Sequence, residues 1–136
     1  MYDRIIVAVD AAAIDKAERI VPRAVKLLRE GGRIILVSVV EELPGYIMTE
    51  VPASIAVDAR RETEARVTDL RQRLVPTADI EVRMGAPAQE LLSAVEEHKA
   101  DLIILASHKP DFSNYFFGAT ADRVVRHAQC SVLVDR

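Results

Sequence analysis

The chain has no tryptophan, one cysteine (Cys130) and only five glycines among its 136 residues. A single thiol cannot close an internal disulfide, and its use fits a reducing, cytoplasmic setting. No apolar run approaches the ~20 residues that span a bilayer, which excludes a membrane-spanning helix. The N-terminus runs straight into a strand-like segment, so no leader peptide is expected. Neither sign of charge dominates: the net charge is −3, with acidic and basic residues interspersed. Without a basic stripe or an aromatic platform there is no nucleic-acid footprint. GxxxxGK[ST] and GxGxxG are both missing. His98, His108 and His127 are far apart, and no Cys/His pair has the spacing of metal ligands, so no metal site is expected. Ser107 lacks the glycines of a nucleophile elbow and has no assignable acid–base partner. No catalytic constellation emerges.

What is present is aliphatic. Half of the residues are apolar, mostly Ala, Val, Ile and Leu, in a chain long enough for one domain that buries about two-thirds of its unfolded surface. Arg4 to Asp10 reads as a central, β-branched strand. Lys16 to Arg29 carries a helical stripe at Ala17, Ile20, Val21, Ala24, Leu27 and Leu28, with Asp15 as N-cap and Gly31-Gly32 as the stop. Pro22 inside it predicts a kink or an irregular first turn. Arg33 to Val40 is a second buried strand, and Glu41 to Ala53 a long loop. Ser54 to Leu74 is the longest helix, with Ala56, Ala59, Thr63, Val67, Leu70 and Leu74 on one face and ion-pairing charges on the other. Ile80 to Met84 alternates as an edge strand with one wet face. Ala86 to His98 is helical, with Pro87 at a first-turn position and His98 exposed.

The most informative stretch is Asp101 to Asp135. Leu102 to Ala106 is a doubly buried strand that stops at Ser107-His108-Lys109-Pro110-Asp111. The aromatic segment Phe112 to Phe117 follows and either covers the end of the sheet, docks a protein partner or lines the mouth of the site. Gly118-Ala119-Thr120 leads into a helix with apolar residues at Ala121, Val124, Val125 and Ala128, and Ser131 to Val134 closes the chain. The order is βαβαβαβαβ, the pattern of an open parallel sheet with helices on both faces. A buried strand followed by a polar loop and a glycine at a helix start presents unpaired N–H groups that favour an anion, most often phosphate.

Those residues, with Ile5 to Asp10 at the start and Gly85-Ala86-Pro87 before the third helix, resemble the universal stress protein family along the whole chain. Ser107-His108-Lys109-Pro110-Asp111 and Val124-Val125-Arg126-His127-Ala128 are most similar to its F/G-type branch. The resemblance implies a five-stranded parallel sheet of order 3-2-1-4-5, the adenine-nucleotide alpha-hydrolase-like fold. It places a ligand crevice between the carboxyl ends of the first and fourth strands, where the chain reverses. It further implies a cytosolic homodimer formed through Val132, Leu133 and Val134, and an adenine nucleotide (ATP, ADP or AMP) whose phosphates carry any Mg. Any hydrolysis or self-phosphorylation would be slow.

The residues implied at the nucleotide are Ala8, Asp10, Val39, Leu105, Ala106, Ser107, His108, Lys109, Gly118, Ala119 and Thr120. Asp10 either caps the turn after its strand or accepts hydrogen bonds from adenosine. Val39 either packs against the base or is plain core. Nucleotide-binding members carry Gly, two residues, Gly, nine residues, then Gly-Ser/Thr. On that pattern Ala106 and Lys109 replace the first two glycines, eight residues separate Lys109 from Gly118, and Ala119 replaces the hydroxyl, with Thr120 one position on. Lys109 either substitutes as a phosphate partner or is a solvated loop charge. His108 either donates to phosphate or is a surface residue. These departures keep open a nucleotide-free dimeric interaction module of the same family.

Overall fold

The computed structural model describes residues 1–41, 53–107 and 118–136. The interior of the loop expected over Glu41 to Ala53, and the Phe112 to Phe117 segment, lie outside the described residues. The elements are β1 (Tyr2–Ala8), α1 (Ile14–Leu27), β2 (Leu28–Val40), α2 (Ala53–Leu74), β3 (Asp79–Met84), α3 (Pro87–His98), β4 (Leu102–Ala106), α4 (Ala119–His127) and β5 (Ser131–Asp135). The strands form one sheet in the order β3-β2-β1-β4-β5, and every neighbouring pair is parallel. This is the topology implied by the resemblance.

Alternation along the buried strands divides the core into two layers. Ile5 and Val7 of β1 face the same way as Leu36 of β2 and Ile104 of β4. There they meet Ile20, Val21 and Ala24 of α1 and Val67 and Leu70 of α2. Ile6, Ile35, Val37, Ile103 and Leu105 face the other way, against Leu91, Ala94 and Val95 of α3 and Val124 of α4. Ile5, Ile6, Ile103 and Ile104 are fully buried, and each side chain contributes roughly 1.5–3 kcal/mol by leaving water. Two faces of equal apolarity explain why these strands read as unbroken runs.

Four local expectations are corrected. The N-cap of α1 is Ala13, without a side-chain hydrogen bond, and Asp15 sits inside the first turn instead, where its charge still favours the helix dipole. The helix ends at Leu27, before Gly31-Gly32, because Leu28 is already extended. The glycines serve an irregular join instead: pairing jumps from Tyr2↔Leu28 to Arg4↔Arg33. A Cβ on Gly32 would lie 2.8 Å from the Asp3 carbonyl oxygen and 2.9 Å from that of Arg29, and Gly31 has φ +81°. β1 stops at Ala8, not Asp10. His98 is half-buried, its Nε2 3.0 Å from Glu81 Oε2. The α1 helix continues through Pro22, an exposed position, while its buried stripe holds it to the sheet.

Polar contacts tie the layers together. Asp135 is buried, with Oδ1 2.9 Å from Arg23 Nε and Oδ2 2.9 Å from Arg19 Nε, which links the end of β5 to α1. Arg83 on β3 donates to Glu90 (3.0 Å) and Glu97 (2.8 Å) on α3. That hydrogen bond from Arg83, together with its charge, holds the Glu97 carboxyl below its ordinary range. At the opposite end of the sheet from the strand tips, Asp101 accepts from the backbone N–H of Asp3 (2.9 Å) and Arg4 (2.8 Å). Burial pushes the Asp101 pKa up, but these N–H groups outweigh it and the net shift is downward.

Candidate functional site

β1 and β4 are adjacent, yet the helices that follow them go to opposite faces of the sheet: α1 to one and α4 to the other. A cleft opens at their carboxyl ends, as fold geometry requires at a reversal of strand order. It has a volume of about 370 Å³, within the range of small-molecule sites.

Each wall comes from a different element. Ala8 ends β1 and Val9 and Asp10 follow it, Val37 and Val39 come from β2, and Leu105 and Ala106 end β4. Lys16 and Ala17 come from the first turn of α1, Pro87 and Leu91 from α3, and Thr120 and Ala121 from α4, with Glu41 after β2. The apolar residues form a slot suited to a flat ring, while Asp10, Lys16, Glu41 and Thr120 supply the polar groups.

The helix starts are unusual for what they omit. Ala13, Ala86 and Gly118 occupy the N-cap positions of α1, α3 and α4, and none makes a side-chain capping bond. Ser, Thr, Asp or Asn is preferred there because its oxygen satisfies one of the free N–H groups. Gly118 takes φ +99°, a conformation glycine accepts without strain. All three helices contribute to the cleft, so their positive dipole ends converge on it.

Asp10 caps the turn after its strand, the first of its two expected readings. Its Oδ1 accepts the Ala12 N–H at 2.9 Å, and its carbonyl accepts the Ala13 N–H at 2.9 Å, closing the turn. The side chain remains exposed at the cleft, with Oδ2 facing no protein donor among the described residues.

Of the residues implied by sequence, Ala8, Asp10, Val39, Leu105, Ala106 and Thr120 line the cleft together. Ser107, Gly118 and Ala119 do not. Ser107 is buried, and its N–H donates to the Asp135 carbonyl at 2.8 Å, toward β5. Gly118 serves as the α4 cap, its carbonyl accepting the Asp122 N–H at 3.0 Å. His108 and Lys109 lie outside the described residues. Sequence reasoning missed Val9, Lys16, Ala17, Val37, Glu41, Pro87, Leu91 and Ala121. Their only signal was position, since Lys16, Pro87 and Ala121 each stand within the first turn of a helix that follows a strand.

Cys130 lies away from the cleft. Burial, and secondarily the charge of Asp101, push its thiol pKa up, which leaves little reactive thiolate.

Comparison with known proteins agrees with this architecture. The universal stress protein family model matches residues 1–136. Universal stress protein G of Shigella flexneri is 31% identical over 100% of both chains. Two solved structures share the fold. One is a universal stress protein from Archaeoglobus fulgidus in complex with dAMP (21% identity, TM-score 0.64, covering 99% of this chain and 98% of that one). The other is a universal stress protein in complex with cAMP (23% identity, TM-score 0.59, covering 99% and 97%). The sheet order, the helices on both faces and these likenesses agree on the adenine-nucleotide alpha-hydrolase-like fold. From its first residue to its last, the chain belongs to the universal stress protein family.

Proposed function

We propose that this protein binds an adenine nucleotide in the cleft between β1 and β4 and acts in a stress response or signalling role as a cytosolic homodimer. The observation that carries the reading is the convergence of three helix starts without side-chain caps on an apolar slot beside Asp10. An apolar slot suits a base, a carboxylate suits ribose hydroxyls, and bare N–H groups suit phosphate. The dAMP and cAMP complexes of proteins with this fold support the same ligand class.

In this reading Val39 and Leu91 flank the base, and Asp10 accepts from ribose through the oxygen not used in its turn. Thr120 offers a hydroxyl to phosphate in place of the one lost at Ala119. Lys109 and His108, outside the described residues, keep the phosphate roles that the family resemblance implies. A divalent metal arrives with the phosphates. Turnover is slow, because Asp10 and Glu41, the two cleft carboxylates among the described residues, have no partner arranged to move a proton. Val132, Leu133 and Val134 on the β5 edge, half-buried in the single chain, pair with the same strand of a second copy.

The test is thermal melting with and without ATP-Mg. At 100 times the dissociation constant a ligand adds about 2.7 kcal/mol, which for a domain of this size raises the Tm by roughly 8 °C. An unmoved Tm at millimolar ATP rejects the proposal. It would favour a nucleotide-free interaction module, the reading supported by the withdrawal of Ser107, Gly118 and Ala119 from the cleft wall.

A further inference from the structure

Lys16 is half-buried, stands in the first turn of α1 and lines the cleft. Among the described residues it makes no ion pair, whereas Arg19 and Arg23 on the same helix are both matched to Asp135. Its position is also electrostatically adverse. A helix N-terminus carries partial positive charge and disfavours a cation, and this one lacks a side-chain cap. Asp15 offsets part of that repulsion from its own place in the first turn. The cleft carboxylates of Asp10 and Glu41 do not approach the ammonium closely enough to pair with it. The Lys16 ammonium, at the mouth of a helix dipole, therefore has no counter-charge among the described residues.

The wall across from it shows the complementary deficit. Ala106 at the end of β4 brings neither charge nor donor, Thr120 is the one hydroxyl among the described lining residues, and Ala119 does not line the cleft. We infer that Lys16 supplies a phosphate contact from the α1 side, so that its charge strengthens the preference of the cleft for phosphorylated over unphosphorylated adenosine. The inference rests on the nucleotide reading above and refines it. The anion is held by a point charge on α1 in addition to backbone donors at α4.

The experiment compares AMP with adenosine, each titrated calorimetrically into the wild-type chain, Lys16→Ala and Lys16→Arg at one ionic strength. Charge-assisted hydrogen bonds at a partly exposed site predict that Lys16→Ala weakens AMP about tenfold. Adenosine should stay within about twofold, and Lys16→Arg should recover most of the AMP affinity. Melting curves without ligand establish that the variants are folded. Equal weakening of both ligands, or of neither, overturns the role of Lys16. Wild-type protein that binds adenosine as tightly as AMP overturns it too, while leaving the nucleoside site standing. Wild-type protein that binds neither ligand removes the nucleotide reading and this inference together.

Discussion

Asp10 has two jobs in the structure that substitution can separate. Its Oδ1 closes the β1–α1 turn through the Ala12 N–H, while the same turn is independently closed by the Asp10 carbonyl and the Ala13 N–H. Removing the carboxylate therefore costs one hydrogen bond at an exposed site, about 0.5–1 kcal/mol, or a fall in Tm of roughly 2–4 °C. Asp10→Asn keeps an oxygen for Ala12 and should melt within about 1 °C of wild type. Binding behaves differently. A carboxylate accepting from a ribose hydroxyl contributes roughly 1.5–3 kcal/mol, and exposure of the side chain places this one near the lower end. Asp10→Ala should then lose about tenfold in ATP affinity, with Asp10→Asn between it and wild type. Calorimetric titration and thermal melting of the same preparations give both quantities. If Asp10→Ala shows the Tm loss but binds ATP within twofold of wild type, Asp10 is a turn residue only and the cleft is not organised around it.

Two further outcomes follow from contacts away from the cleft. Asp135→Ala leaves Arg19 and Arg23 without their partner, but both are half-exposed (50% and 53%) and can return to water. The expected loss is about 1–2 kcal/mol, below that of a fully buried pair, measured by urea denaturation; a loss above 3 kcal/mol would mean that the pair does more than pin β5 to α1. At Asp101 the folded-state pKa is depressed, so its contribution is present above the unfolded value of about 3.9 and is lost as pH falls through the lower folded value. Asp101→Asn should accordingly be less stable than wild type at pH 7, with the gap closing below about pH 4; a gap that persists at pH 2.5 would assign the effect to packing rather than charge.

Much of the architecture could be read along the chain because its signals are local. Ile5 to Val7, Ile34 to Val37 and Leu102 to Leu105 are apolar on both faces, and only strands covered by helices on both sides need that. The α2 stripe from Ala56 to Leu74 lies inward as its spacing predicts, half-buried at Ala56, Ala59, Thr63 and Leu74 and fully buried at Val67 and Leu70. Where local signals competed, the readings slipped. Gly31-Gly32 resembled a helix stop, but Leu28 had already entered the sheet. The glycines answer the approach of the Asp3 and Arg29 carbonyls, one of which comes from a different strand.

Residue types, spacing and order determined the class of fold, and the family resemblance carried by those residues implied a cleft at two strand tips and the candidacy of Asp10, Val39 and Thr120. Tertiary structure alone decided which side chains share that cleft. Lys16, Leu91 and Thr120 are separated by tens of residues, and only packing on opposite faces of one sheet brings their helix starts to a common mouth. It likewise turned Ser107 toward β5. Periodicity reports which face of an element is buried. Proximity between elements depends on how the faces stack, a property of the assembled sheet.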